Sequence, residues 1–268
     1  MVPERMRVAA NESICKCCSG RAFLFGVCDF SKSCADRAAG RKVDPYAGVP
    51  VYYYRCAECG FVFTTAFDDW GSHAFAKYIY NDDYIRQDPD YLDARPQSNA
   101  NALASQFPEL AGQEILDYGS GNGLLEQKLK ARGFVKVDSY DPYGAIQNRR
   151  AQPQRSDVVL AFEVFEHHAA PRDLMAELAR LLKPQGIVLF STLVTPPDIE
   201  TIGIGNWWYC APRNGHISFF TPKALAHIAS TVGMKAASFS DGFHFLYRDE
   251  PPDWISRYTV TPCSTRDE

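Results

Sequence analysis

Residues 114–133 read EILDYGSGNGLLEQKLKARG: a short apolar run, three glycines at alternate positions, then a helical pattern closed by Gly133. A strand that feeds a helix through so bare a turn commits the segment to the opening of a βαβ unit. Gly119, Gly121 and Gly123 leave backbone uncovered where the helix starts. Free N–H groups there favour an anionic group, and glycine lets a ligand approach the chain directly. Asp117 and Tyr118 end the strand. Twenty residues beyond Gly121 the next apolar run, VKVDSYD, ends in Asp141, followed by Pro142. A carboxylate at that point of a parallel sheet can accept both hydroxyls of a ribose. A nucleoside-containing cofactor is the ligand these residues predict.

The chain continues in the same alternation. DVVLAFEVF and GIVLFSTLV are near-continuous apolar runs, as in strands covered on both faces. Between them, APRDLMAELARLLKPQG has helical spacing and is read as closed by Lys183–Gly186. TPKALAHIASTVG predicts a helix capped by Thr221 with Pro222 at its first position. MKAASFSD and FHFLYRD predict two strands joined by the turn Asp241-Gly242. The pattern predicts a doubly wound α/β domain over 112–268. Residues 67–111, rich in Asp, Tyr and Asn, predict short helices. They serve as a lid or as a plain connector.

Seven of the nine cysteines lie in the first 59 residues. Cys15-Lys-Cys-Cys18 and Cys56-Ala-Glu-Cys59 each place two sulfurs on one tight turn, with 37 residues between Cys18 and Cys56. Two such turns complete a tetrahedral set of four thiolates with no open position, so the expected ion is a structural Zn²⁺ held by Cys15, Cys18, Cys56 and Cys59. Cys17 is the competitor for Cys18 and the poorer chelate. Cys28 and Cys34 have no partner motif and are read as packed thiols. VPVYYYRCAECGFVFTTAF predicts a hairpin around the second turn. Residues 1–66 are thus expected to form a small zinc ribbon.

The dinucleotide fingerprint G-x-G-x-x-G would place its third glycine where this chain has Leu124. DYGSGNG instead resembles D-x-G-x-G-x-G, the first motif of the class I S-adenosylmethionine-dependent methyltransferases. SYDPY resembles that family's ribose-binding strand end. SDVVLAFEVFEHHAAPRDLMAELARLLKPQGIVLFST resembles its fourth strand, loop, helix and fifth strand, and EVFEHH is similar to the E-V-x-E-H signature of one branch. The resemblance spans about residues 112–248. It implies a seven-stranded, mostly parallel sheet with an antiparallel last strand. It also implies S-adenosylmethionine bound by Asp117, Tyr118, Gly119, Gly121, Gly123, Asp141, Pro142 and Glu163. The cysteine-rich front resembles, more loosely, a segment that precedes some sugar methyltransferases. One departure stands out. Only fifteen residues, Pro142 to Ser156, occupy the interval where the family fits a third strand and a helix. Adenine contacts are therefore unassigned.

The implied reaction is in-line methyl transfer to a small-molecule acceptor, a sugar or a biosynthetic intermediate. His167 is the first candidate for a general base and His216 the second. Glu166 and His167 suit loop ordering equally well, and His168 is expected to face solvent. Trp207, Trp208 and Tyr209 either wall the acceptor or pack against the zinc ribbon. Tyr80 and Tyr84 either close over the cofactor or belong to the core. Two other functions compete: an RNA or protein methyltransferase that grips a polymer with its ribbon, and a cofactor-binding protein without catalysis. A net charge of −4 and the lack of a Lys/Arg block weigh against nucleic acid. The sequence has no apolar run near the ~20 residues that span a bilayer and no apolar leader at its start. A cytoplasmic protein without membrane contact is expected.

Overall fold

The aromatic run around Cys56 alternates because two antiparallel strands bury one side of it. In the computed structural model, which describes residues 10–142 and 151–265, β1 (Glu12–Ile14), β2 (Arg21–Asp29), β3 (Pro50–Cys56) and β4 (Val62–Thr64) form consecutive antiparallel pairs. Tyr53, Cys56, Phe61 and Phe63 are buried in the product.

The second sheet is built from β5 (Ile115–Tyr118), β6 (Val137–Tyr140), β7 (Ser156–Ala161), β8 (Leu182–Ser191), β10 (Lys235–Ser240), β11 (Phe243–Tyr247) and β12 (Thr261–Pro262), with β9 (Ser218–Phe219) lying outside it. Its order is β12-β10-β11-β8-β7-β5-β6. β6, β5, β7 and β8 pair in parallel, and β11 returns antiparallel beside β8. Both faces are covered, which is why the strands read as unbroken apolar runs. Leu116, Val159, Val188 and Phe190 face the helices Pro171–Leu181 and Pro222–Ser230, through Leu174, Leu178, Leu225 and Ile228. Their neighbours Ile115, Val158, Ile187 and Leu189 face the helices Ala94–Gln106 and Leu124–Lys130, through Leu103, Leu125 and Leu129.

Among the described residues the sheet counts seven strands with β12, at the edge opposite β6; residues 151–155 carry no strand, and residues 143–150 lie outside the described part. One detail differs from expectation. The helix ends at Leu181, and Lys183–Gly186, read as the turn that closes it, already belongs to β8. Pro184 has no N–H to donate, which suits the irregular start of a strand whose register shifts between Ser156 and Val158. No helix among the described residues is long and apolar enough to cross a membrane.

The short β9 binds the two sheets into one body. It pairs with β4, Phe219 opposite Val62 and Ser218 opposite Phe63, and so crosses the boundary drawn at residue 66. Next to it Thr221 accepts from Ala224 N at 3.0 Å, capping the helix as predicted, and donates to the Cys59 carbonyl at 2.6 Å. The Phe61 ring lies 4.8 Å from that of Phe220, and Arg172 Nε donates to the Cys17 carbonyl at 2.7 Å. A shared core implies shared unfolding. Phe61→Ala is expected to lower the unfolding free energy by about 3–5 kcal/mol and to shift a single denaturant transition. A variant whose second-sheet transition stayed at the wild-type midpoint would show two independent units instead.

Candidate functional site

The turn after β5 adopts a shape that only glycine accepts easily. Gly119, Gly121 and Gly123 all have φ between 55° and 77°, the left-handed region. A methyl group on Gly119 would meet Val164 at 2.6 Å, and one on Gly121 would meet the Tyr91 hydroxyl at 2.7 Å. The turn is thus pressed between the loop after β7 and a tyrosine from the 67–111 segment. Gly121 N donates to Asp141 Oδ2 at 2.7 Å, tying the turn to the end of β6. Asp117 is buried and its Oδ2 makes no hydrogen bond. Burial, then the charges of Glu126 and Asp141, push its carboxyl up to about 7. Tyr118 points elsewhere: its hydroxyl donates to Glu177 at 2.8 Å and its ring packs on Tyr140, so only its backbone borders the turn. Pro142 is half-buried directly after Asp141.

The loop after β7 carries the titratable groups. Glu163 has φ 56°, a strained setting for a side-chain-bearing residue. Ser191 holds it there, accepting from Glu163 N at 2.9 Å and donating to its Oε1 at 2.8 Å. Glu166 is fully buried. Its Oε1 accepts from the Tyr209 hydroxyl at 2.8 Å, while Oε2 has no hydrogen bond. Burial and then the neighbouring Glu163 push this carboxyl up to about 8. His167 and His216, far apart in sequence, stack edge-to-face with centroids 4.7 Å apart. Burial first, then His216 and Arg95, holds the His167 imidazole well below its ordinary value, and burial lowers His216 as well. Both rings are neutral at pH 7. His168 does not face solvent as expected. It is half-buried, and its Nδ1 accepts from Ala170 N at 3.2 Å at the start of the following helix.

Aromatic residues roof this chamber. Tyr80 OH lies 3.1 Å from His167 Nδ1, Tyr84 is buried, and Tyr84 meets Tyr91 edge-on at 5.8 Å. Arg95 makes a bidentate pair with Asp88 at 2.7 and 2.8 Å beside them. The far wall is the loop 203–217. There Trp207 and Tyr209 are buried among Cys28, Val51 and Tyr53 of the front sheet, which settles their packing, and Trp208 alone is exposed, with Arg37 over its ring at 4.9 Å. The front sheet also holds this loop by hydrogen bonds. Lys32 donates to the carbonyls of Trp207 and Cys210 at 2.6 and 2.7 Å, and Tyr53 donates to that of His216 at 3.0 Å. One cavity of about 520 Å³ runs along β6 between Glu114 and Ser156, away from this chamber. Open parallel sheets bind ligands beyond the carboxyl ends of their strands, where the glycine turn and the loop after β7 converge.

Residues 89–238 match the family described as "Methyltransferase domain", more than half of the chain. The chain belongs to the class I S-adenosylmethionine-dependent methyltransferases. Among its relatives, the ubiquinone biosynthesis O-methyltransferase of Thiobacillus denitrificans is 29% identical over 153 residues, 47% of this chain and 66% of that protein. The protein of the same name from Bordetella pertussis is 30% identical over 154 residues, covering 47% and 64%. The chain thus spans just under two thirds of these relatives' length. Of solved structures, a possible histamine N-methyltransferase of Thermotoga maritima aligns over 66% of this chain and 99% of its own, at 14% identity and TM-score 0.42.

On this methyltransferase scaffold the four cysteines stand apart from the chamber. Cys18 and Cys56 sulfurs are 3.4 Å apart, those of Cys15 and Cys59 3.7 Å, and all four lie within 4.8 Å of one another. Backbone N–H groups of Cys17 and Cys18 point at the Cys15 sulfur, and those of Glu58 and Cys59 at the Cys56 sulfur, at 3.4–3.5 Å. Cys17 Sγ turns away and donates to the Ala224 carbonyl. Cys28 meets Cys210 at 3.4 Å, and Cys34 approaches His216 Nδ1 at 3.8 Å.

Sequence reasoning named His167, His216 and Glu163 but gave Glu166 only a loop-ordering role, and it passed over Tyr91 and Arg95. The E-x-x-E-H spacing was the available signal for Glu166. The Asp117 carboxyl carries a testable cost. Its value in the fold is raised above the unfolded one, so the folded state binds the extra proton. Ligand-free stability should therefore be full below about pH 4 and decline as pH rises to about 7. Asp117→Asn should remove that part of the slope and raise unfolding stability at pH 8, by up to about 4 kcal/mol. Parallel pH profiles for both proteins would contradict the buried carboxylate.

Proposed function

We propose that this chain transfers a methyl group from S-adenosylmethionine to a hydroxyl oxygen of a small-molecule acceptor held over Glu166, His167 and His216. The observation that carries this reading is the contact of the glycine turn with the E-V-x-E-H loop, Gly119 against Val164, which puts a cofactor cradle beside a cluster of proton-handling groups. The relatives named for O-methylation support the choice of oxygen. The residues fit the cofactor. Asp117 Oδ2 is an unpaired buried carboxylate oxygen suited to its cationic aminoacid end, and Asp141 stands at the ribose position. Bound S-adenosylmethionine supplies a methyl on a good leaving group, so the oxygen–carbon bond forms as the carbon–sulfur bond breaks, leaving a methyl ether, S-adenosylhomocysteine and a proton.

The chain's own part is alignment, exclusion of water and removal of that proton. Tyr80, Tyr84 and Tyr91 cover the chamber, and the 67–111 segment that carries them acts as its lid. Neutral His167 is the base in this reading. Its depressed proton affinity suits proton removal during methyl transfer rather than before it. His216 fixes the His167 ring edge-on. S-adenosylhomocysteine should bind and raise the melting temperature, where NAD should not. Incubation with labelled S-adenosylmethionine and a panel of phenols, catechols and sugar nucleotides should label at least one of them. His167→Ala should cut that turnover by about 10²-fold or more with unchanged S-adenosylhomocysteine affinity. Failure to bind S-adenosylhomocysteine would overturn the reading.

The four-cysteine cluster is the second part of the proposal. We propose that it holds one structural Zn²⁺. Four sulfurs at about 2.3 Å from one ion sit about 3.8 Å apart, close to the spacings seen here. The ribbon then acts as a rigid buttress for the loop 203–217 and takes no part in chemistry. Elemental analysis should find one zinc ion per chain in this cluster. Cys59→Ser should lose it and lower S-adenosylhomocysteine-bound stability. Unchanged zinc in both Cys15→Ser and Cys59→Ser would discard the assignment.

A further inference from the structure

We infer that Cys28 and Cys210 form an oxidation site, a dithiol that hydrogen peroxide converts to a disulfide, and that this bond displaces His216. The modification itself is independent of the methyl-transfer reading; its effect on turnover rests on that reading. The two sulfurs lie 3.4 Å apart, although 182 positions separate the residues. Cys28 belongs to β2 of the front sheet and Cys210 to the loop 203–217. No third metal ligand joins them among the described residues, so dithiol chemistry is what the pair offers. A disulfide sets its sulfurs about 2.05 Å apart, and the pair therefore closes by about 1.4 Å.

The pair is also polarised. Lys32 brings its ammonium beside it, donating to the Cys210 carbonyl at 2.7 Å. The hydrogen bond from Cys210 lowers the Cys28 thiol below its ordinary value, against burial and with help from Lys32. Burial raises Cys210 well above its own. Cys28 is thus the attacking sulfur and Cys210 the resolving one. Cys28 takes one oxygen from hydrogen peroxide, becoming a sulfenic acid as the first water leaves. The Cys210 sulfur then attacks that of Cys28, the sulfur–oxygen bond breaks, and its oxygen departs with the remaining thiol proton as a second water. Two thiols lose two electrons, and one peroxide is reduced to two waters. Cys28 is 4% exposed and Cys210 0%, so the oxidant enters by local opening of the loop, and a molecule little larger than water is the one that fits.

Cys210 sits between the two residues that place His216. The Tyr209 carbonyl is 2.8 Å from His216 Nδ1, and the Ala211 carbonyl accepts from His216 N at 3.2 Å. Movement of Cys210 toward Cys28 carries both carbonyls with it. His216 stacks on His167, so the displacement reaches the ring read as the base. The glycine turn lies outside this chain of contacts, and cofactor affinity is expected to hold.

The full chain is treated with a small excess of hydrogen peroxide, blocked with N-ethylmaleimide and digested for mass spectrometry. Wild type should yield peptides joined through Cys28 and Cys210, and dithiothreitol should separate them. The same treatment should move the His216 and His167 ring resonances in nuclear magnetic resonance spectra and cut turnover by about tenfold or more, with dithiothreitol restoring both. Cys28→Ala and Cys210→Ala should each lose the link, and the ring resonances of Cys28→Ala should not respond to peroxide. Near-ultraviolet circular dichroism checks the folding of each protein, and zinc content after treatment shows the cysteine cluster intact. No link in folded wild type, or a link through Cys34 in its place, overturns the inference. A ring response undiminished in Cys28→Ala also overturns it, because another thiol is then responsible. A link that leaves the His216 resonance unmoved overturns the displacement. A link that moves the rings of a protein unable to bind S-adenosylhomocysteine would instead remove the methyl-transfer reading and keep the oxidation site.

Discussion

The hydrogen bond from Gly121 N to Asp141 Oδ2 joins the two strand ends on which the site is built. It holds only while the turn keeps its left-handed glycines, because a side chain on Gly119 or Gly121 would strike Val164 or Tyr91. Those contacts in turn set where the loop after β7 and the tyrosine roof can stand. Glu163, Glu166 and His167 are therefore placed by the same bare turn that is proposed to receive the cofactor. One local constraint gives the chamber both its floor and one of its walls.

The other wall comes from the front module. β9 is only two residues long, too short to stabilise itself, and it persists because β4 supplies its ladder and Phe61 and Phe220 pack beside it. Lys32 and Tyr53 then fix carbonyls at Trp207, Cys210 and His216. His216 reaches His167 through this scaffold rather than through the domain that carries both. The cysteine-rich segment thus has a physical reason to sit beside a transferase without touching its chemistry.

Legibility in the sequence followed the length of the signal. The glycine turn, the apolar strands and the Thr221 cap were readable because each is a local pattern with one geometric solution. The hairpin at Cys56 was readable for the same reason. β9 and β12 were not, since a two-residue strand carries no periodicity and is decided by its partner. The segment Lys183–Gly186 was read as a closing turn because Pro and Gly punctuate it, whereas it opens β8. Only the pairing of β8 with β7 pulls Leu182 onward into the sheet. His168 was misjudged because its capping bond to Ala170 N lies in the backbone, where sequence spacing gives no cue.

The pairing of His167 with His216 was the least legible feature, and it matters most for the chemistry. Forty-nine positions separate the two rings in the sequence, and no motif links them. What brings them together is burial: neither ring is charged, so each can be stacked on the other in a setting that excludes water. The same exclusion raises the Glu166 carboxyl and leaves one of its oxygens unpaired. A site that only oriented a substrate would gain nothing from an unsatisfied buried acid. Groups held dry and short of a partner act strongly on whatever enters between them, because a low local dielectric magnifies each charge and dipole.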